Sequence, residues 1–317
     1  MSSKLEPNQL ERDIENVENM TPKAAQSTVK RALDSVGVYV KGIEFVDEHN
    51  YVENSRAILE IIGNLRLVGE TGTGKTTLVH KLAELLDVKL FEIVLTRDVT
   101  KWDLLACDIL ESGNTKTREG IIIQWLNSPK GMLYIDGFNY AEPSIISLLE
   151  SLADFRGNVY IPEYKRTFTR TAQHYLVISY NPSEKSGYSG TFIENIATIR
   201  RFEGLVVEYL SAEKERQLIK KHAGDTGKAY DFAAKWVEIA RKTRTEYEEG
   251  KLRTPLTTGN LINYAKLWKA KMAEEDIKEI ASSLYPKDER KLFLSFFESN
   301  DKIDIEKLKR EKDKDSS

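Results

Sequence analysis

The 317-residue sequence predicts an α/β fold. A parallel sheet covered on both faces by helices is followed by an all-helical domain. Three observations predict it. Short apolar, β-rich runs alternate with helical patterns between about residues 46 and 210. One of these alternations is a strand, a glycine-rich turn and a helix in direct succession. Beyond Ser211 the apolar residues recur only at helical spacing.

Composition sets outer limits. Lys and Arg number 47 against 50 Asp and Glu, a formal net charge of −3, which gives no global pull toward nucleic acid or acidic lipid. Hydrophobic content of 40% and charged content of 31% describe a soluble globular protein with ample core. No run approaches the length of a membrane span, and Met1 to Arg12 is polar without a signal-type apolar core. A cytoplasmic protein without membrane insertion is the expectation. Cys107 is the only cysteine, so no intramolecular disulfide forms.

In chain order, residues 1 to about 20 read as a polar tail. A helix is expected from Thr21-Pro22 to about Val36, with Pro22 at its first position. Val38 to Phe45 alternates in part and reads as a strand, and Arg56 to Ile62 as a helix stopped by Gly63. Leu65 to Val68 and Lys89 to Leu95 read as strands. A short helix starts at Thr100, and Glu111 to Glu119 is polar and turn-like. Gly120 to Leu126 reads as a helix, Gly131 to Asp136 as a buried strand, and Pro143 to Leu152 as a helix. Asn158 to Pro162 and Arg166 to Thr169 suggest a hairpin. Tyr175 to Tyr180 and Leu205 to Leu210 are the remaining strands. A capped helix start is expected at 211–215 and further helices at 230–243, 261–272, 275–284 and 287–297, and 301–317 is a charge run.

The chemistry concentrates in Gly69-Glu70-Thr71-Gly72-Thr73-Gly74-Lys75-Thr76-Thr77, which fits G-x-x-x-x-G-K-[ST] between a strand and a helix. Glycines let backbone N–H groups curl around phosphate oxygens at a helix N-terminus. Lys75 reaches the β- and γ-phosphates, and the Thr76 hydroxyl binds Mg²⁺. About sixty residues further on, an apolar strand ends in Asp136, the expected second holder of the Mg²⁺ shell. Asn181 closes the next buried strand, where its amide could meet the γ-phosphate or the attacking water. Arg200-Arg201 precedes the last strand.

These motifs, in this order, resemble the MoxR-type AAA+ ATPases: Gly69 to Thr76, Tyr134-Ile135-Asp136, Val177 to Pro182, then Arg200-Arg201-Phe202. The "ISYNP" strand and the "RF" segment look most like the CbbQ/NirQ/NorQ group, with gas-vesicle GvpN-type ATPases as close relatives. Asp98 to Leu105 is similar to that group's "DLTxxDL" segment. The hairpin between Asn158 and Thr169 falls where such proteins insert a hairpin into helix 2. The resemblance spans roughly residues 45 to 270. It implies a P-loop NTPase with a three-layer αβα core at 46–210 and a helical lid at 211–300, flanked by an N-terminal segment (1–45) and a charged tail (301–317). It implies a ring, a hexamer of this chain, with ATP at subunit interfaces. Asn181 would be the sensor-1 residue and Arg201 the arginine finger acting in trans. Partners in that group often carry a von Willebrand factor A domain, and the choice of ATP over GTP also rests on the resemblance.

Two positions depart from the family pattern. Gly137 follows Asp136 where the family has a water-polarising Glu, and such a group is worth on the order of 10² to 10⁴ in rate. Glu142 and Glu70 are the nearest carboxylates. The lid segment Thr257 to Ile262 has no sensor-2 arginine; its counterpart falls at or near Asn260, with Arg253 the nearest arginine. Two readings follow: an ATPase that remodels a partner protein, or an ATP-binding ring subunit with little or no hydrolysis. A nucleic-acid motor is a third, since Lys165, Arg166 and Arg170 lie near Tyr160, Tyr164 and Phe168, but a solvated hairpin accounts better for them.

Overall fold

The computed structural model describes residues 37–96, 98–111, 114–181, 196–224 and 226–298. The expected helix at Thr21–Val36 and the charge run at 301–317 lie outside the described residues.

The described chain enters along the core as an irregular strap. The strand expected from Val38 to Phe45 reduces to a single antiparallel bridge between Val38 and Leu90. Gly42 adopts a φ of 70°, and Val38 and Tyr39 are exposed, so neither the backbone nor burial sustains a ladder there. Helix α1 (Tyr51–Ile61) starts earlier than expected because the Asp47 carboxylate accepts from the Tyr51 and Val52 amides.

Strand β1 (Asn64–Val68), helix α2 (Lys75–Leu85) and strand β2 (Lys89–Val94) form as expected. Helix α3 (Lys101–Leu105) is held by a capping box between Thr100 and Asp103. The polar segment after it is a hairpin rather than a turn, β3 (Ala106–Glu111) with β4 (Asn114–Glu119). A ribbon of this kind is held by backbone pairing, so apolar periodicity gave no sign of it. Helix α4 (Ile121–Asn127) follows. The hairpin β3–β4 therefore splits the second helical segment after the glycine-rich turn. The hairpin expected at 158–169 also forms, as β6 (Asn158–Ile161) and β7 (Arg166–Thr169). It lies after the third helical segment, not within the second. Between them come β5 (Gly131–Asp136) and α5 (Pro143–Ala153).

Strand β8 (His174–Tyr180), helix α6 (Ile196–Ile199) and strand β9 (Glu203–Val206) complete the core. The last strand starts two residues earlier and ends four earlier than expected, because after Val207 the chain leaves the sheet for the lid. Five parallel strands run in the order β2-β5-β8-β1-β9. Alternate residues feed opposite faces. Leu133 and Ile135 pack toward α4 and α5, while Met132 and Tyr134 pack toward α2 beside Leu78 and Val79. The register pairs Val94 with Asp136, Asp136 with Ser179, and Val68 with Tyr180. The C-terminal ends of four adjacent strands thus form one rim.

The helical part contains α7 (Ala212–Ala223), α8 (Gly227–Glu248), α9 (Thr258–Lys269), α10 (Glu274–Ser282) and a last helix over 287–298. It has its own core around Phe232, Trp236, Tyr264 and Phe293. A P-loop αβα core plus a helical lid is therefore the architecture.

Candidate nucleotide site

The rim collects the phosphate-binding motif from β1, Asp136 from β5 and Asn181 from β8. Gly69 N–H donates to the Tyr180 carbonyl, which fastens the loop to β8. Thr73 closes the turn through its N–H and hydroxyl, both donating to the Glu70 carbonyl. Gly72 and Gly74 have φ values of 81° and 96°, which side chains rarely adopt. A Cβ on Gly69 would collide with the Val207 carbonyl, and one on Gly72 with Thr257. The glycines therefore keep a cradle open at the N-terminus of α2 and let the lid close onto it. Phosphate fits this cradle.

Lys75 is buried, and its three ammonium protons are all taken. They go to the carbonyls of Gly69 and Glu70 at 2.8 and 2.9 Å and to Asn181 Oδ1 at 2.9 Å. Burial lowers its pKa to about 8, against the opposing pull of Asp136 and Glu70. Asn181 Nδ2 donates in turn to Thr71 Oγ1 at 3.1 Å. Both hydrogen bonds of the Asp136 carboxylate fall on Oδ1, from Gly137 N and Ser179 Oγ. Oδ2 has no partner among the described residues and is left for a cation. No group of three or more His, Cys, Asp or Glu converges among the described residues. Mg²⁺ would rely on Thr76, Asp136, water and phosphate oxygens, its usual company.

The cavity has a volume of about 540 Å³ and is lined from three directions. The loop residues Thr71 to Thr77 form its floor, Phe45 of the N-terminal strap and Tyr51 at the start of α1 one wall, and Thr258, Gly259, Ile262 and Lys266 of the lid another. Tyr209 ties core to lid. Its hydroxyl donates to the Thr71 carbonyl, and its ring lies under the Arg244 guanidinium at 3.8 Å. Arg244 is buried and makes a two-point pair with Glu215 at 2.7 and 2.9 Å.

The remaining expected residues fall as follows. Asn260 is spent on the cap of α9, accepting from the Thr257 N–H and hydroxyl. Arg253 pairs with Asp288 and Glu289 and does not line the cavity. Gly259, one residue from Asn260, does line it. Glu142 is exposed at the start of α5. Gly137 has φ 72° and ψ 35°, so its backbone differs from that of an ordinary side-chain-bearing residue. Arg201 is not part of this rim. Its carbonyl accepts from Asn64 Nδ2 at the opposite end of β1, roughly 13 Å of strand away. In the hairpin region Arg170 is half-buried and spends its guanidinium on Asn64 and the Leu152 carbonyl, and Phe168 is packed in the core. Those two are thus unavailable to a nucleic acid. Sequence reasoning missed Tyr134, Ser179, Tyr209 and the strap. Tyr134 and Ser179 stood inside the quoted motifs, and their hydroxyls in otherwise aliphatic strands were the signal.

Residues 64–202 match the model of the AAA domain, dynein-related subfamily. That match lies on the α/β core. The denitrification regulatory protein NirQ of Pseudomonas aeruginosa is 27% identical over 201 residues, 63% of this chain and 74% of NirQ. An uncharacterized protein of Staphylococcus aureus is 27% identical over 177 residues, 54% of this chain and 65% of its own length. A crystal structure of a candidate ATPase from Cytophaga hutchinsonii is similar at 19% identity, with a TM-score of 0.45 over 86% of this chain and 89% of that one. The family-model match and the likeness to NirQ bear out the resemblance to MoxR-type AAA+ ATPases of the NirQ kind. An AAA domain implies nucleotide binding. Among the described residues no helix is long and apolar enough to cross a membrane.

Proposed function

We propose that this AAA domain binds Mg-ATP at the interfaces of a ring of its own copies and hydrolyses it slowly to remodel or activate a partner protein. The convergence of Lys75, Thr76, Asp136 and Asn181 on one cavity beneath the lid carries this reading. Lys75 would exchange its loop carbonyls and Asn181 for phosphate oxygens. That exchange frees the Asn181 amide to meet the γ-phosphate or the attacking water. Thr76 and Asp136 would hold Mg²⁺, which supplies charge neutralisation at the β- and γ-oxygens. Arg201 cannot reach the rim of its own chain from the far end of the sheet, which supports a role toward a neighbour's nucleotide. The turnover is slow because Gly137 offers no carboxylate to the water.

A second reading is favoured by Gly137 alone: a ring subunit that binds ATP as an assembly switch without turnover. Phosphate release by the wild type beside Arg201→Ala, with the mass of the assembly measured with and without nucleotide, tests the proposal. Turnover lost in Arg201→Ala with binding retained supports it. Binding without any phosphate release selects the switch. A monomer under all nucleotide conditions contradicts the ring.

A further inference from the structure

Four oxygens run in a line beneath the cradle. Thr76 Oγ1 lies 3.3 Å from the Tyr134 hydroxyl, which lies 2.9 Å from Ser179 Oγ, which lies 2.5 Å from Asp136 Oδ1. Tyr134 and Ser179 are both fully buried, so no water competes for these contacts. Counting protons gives the chain a direction. A carboxylate only accepts, so Ser179 spends its single proton on Asp136. Ser179 then accepts, so the proton between it and Tyr134 belongs to the phenol. Tyr134 in turn accepts from Thr76.

We infer that Tyr134 and Ser179 are positioning residues for the metal. They turn the Thr76 O–H down into the protein, so that its lone pairs face the cradle, and they fix Asp136 by Oδ1, so that Oδ2 faces the same point. The two protein oxygens expected to hold Mg²⁺ are thereby oriented by one continuous hydrogen-bond chain before the ion arrives. Preorganisation of this kind is what outer hydrogen-bond partners do for metal-binding side chains generally. The Thr76–Tyr134 contact is the longest of the three, so it is the link that an incoming ion can shift most readily. This inference rests on the proposed nucleotide site.

The test uses the full chain and a fluorescent ATP analogue labelled on the ribose, titrated with Mg²⁺ and, separately, in EDTA. Tyr134→Phe removes only the hydroxyl, and Ser179→Ala cuts the next link. Each is expected to raise the Mg²⁺ concentration for half-maximal tight binding by about 3- to 10-fold, the effect of one lost hydrogen bond. Metal-free affinity is expected to stay within about twofold. An unchanged Mg²⁺ midpoint overturns the inference. So does an equal weakening with and without metal, which is the mark of a merely structural role. If Tyr134→Phe does not fold, Ser179→Ala decides alone. A wild type that binds no analogue at all refutes the nucleotide site instead.

Discussion

Replacing Gly137 probes why a glycine stands beside Asp136. Its backbone is fastened on three sides: its N–H donates to Asp136 Oδ1 at 2.9 Å, its carbonyl accepts from Tyr140 N at 2.9 Å, and the preceding carbonyl accepts from Leu95 N at 2.8 Å. The φ of 72° is therefore held by the surrounding structure rather than free to relax. A left-handed conformation costs an L-residue about 1–2 kcal/mol. A Cβ would also sit 3.1 Å from the Leu95 carbonyl oxygen and 3.3 Å from Tyr140 Cδ2, tighter than ordinary contact. Gly137→Ala is expected to lose about 1–3 kcal/mol in urea unfolding without nucleotide. Asn tolerates this conformation better, so Gly137→Asn is expected to lose less than Gly137→Ala. Gly137→Glu carries the alanine cost. It also launches its carboxylate from a left-handed backbone, so it recovers less than about 10² of the missing rate. Alanine matching the wild type within about 0.5 kcal/mol, the range of ordinary surface changes, would refute this reasoning.

Other outcomes follow from the site. With the Lys75 pKa near 8 in the free protein and raised by bound phosphate, nucleotide affinity is level below pH 8 and falls as pH rises above it. Calorimetry at pH 8.5 is expected to show proton uptake on binding, through an enthalpy that depends on the buffer; buffer-independent enthalpy contradicts it. Glu215→Ala leaves the Arg244 guanidinium buried and unpaired, and is expected to cost about 3–5 kcal/mol in unfolding measurements. A Cβ on Gly259 meets only Thr257 Oγ1, at 3.6 Å, so Gly259→Arg has room to reach into the cavity from the lid. It is expected to tighten ATP binding about tenfold relative to wild type, by the worth of one charge-assisted hydrogen bond. Unchanged affinity would show that the lid does not close on the phosphates.

Much of the site was legible because its chemistry lies in residue types at fixed spacing. Gly69 to Thr77, Asp136 and Asn181 need no structure to be found, since each sits where a strand ends. Their convergence depends on strand order, which alternation does not encode; the alternation foretold only that the strands run parallel, so that their C-terminal ends share one edge. The elements missed are those that apolar periodicity does not encode. The β3–β4 ribbon is held by backbone pairing, and the strap at 38–45 is held by bonds to distant residues, such as Gly42 N to Glu84 and Lys221 to Glu44. The counterpart of a sensor-2 arginine was placed at or near Asn260, and Asn260 caps its own helix. A cap is a local competition that only the backbone's path resolves. The Thr76–Tyr134–Ser179–Asp136 chain joins three motifs that sequence presents as separate. Its connection is set by register, Asp136 against Ser179, and by Tyr134 facing α2.

Steady-state phosphate release from Mg-ATP by the purified wild type, measured beside Lys75→Ala, bears most directly on the central claim. Slow release that saturates with ATP and disappears in Lys75→Ala is the predicted result. Absence of release in the wild type, or release that survives in Lys75→Ala, would contradict the account.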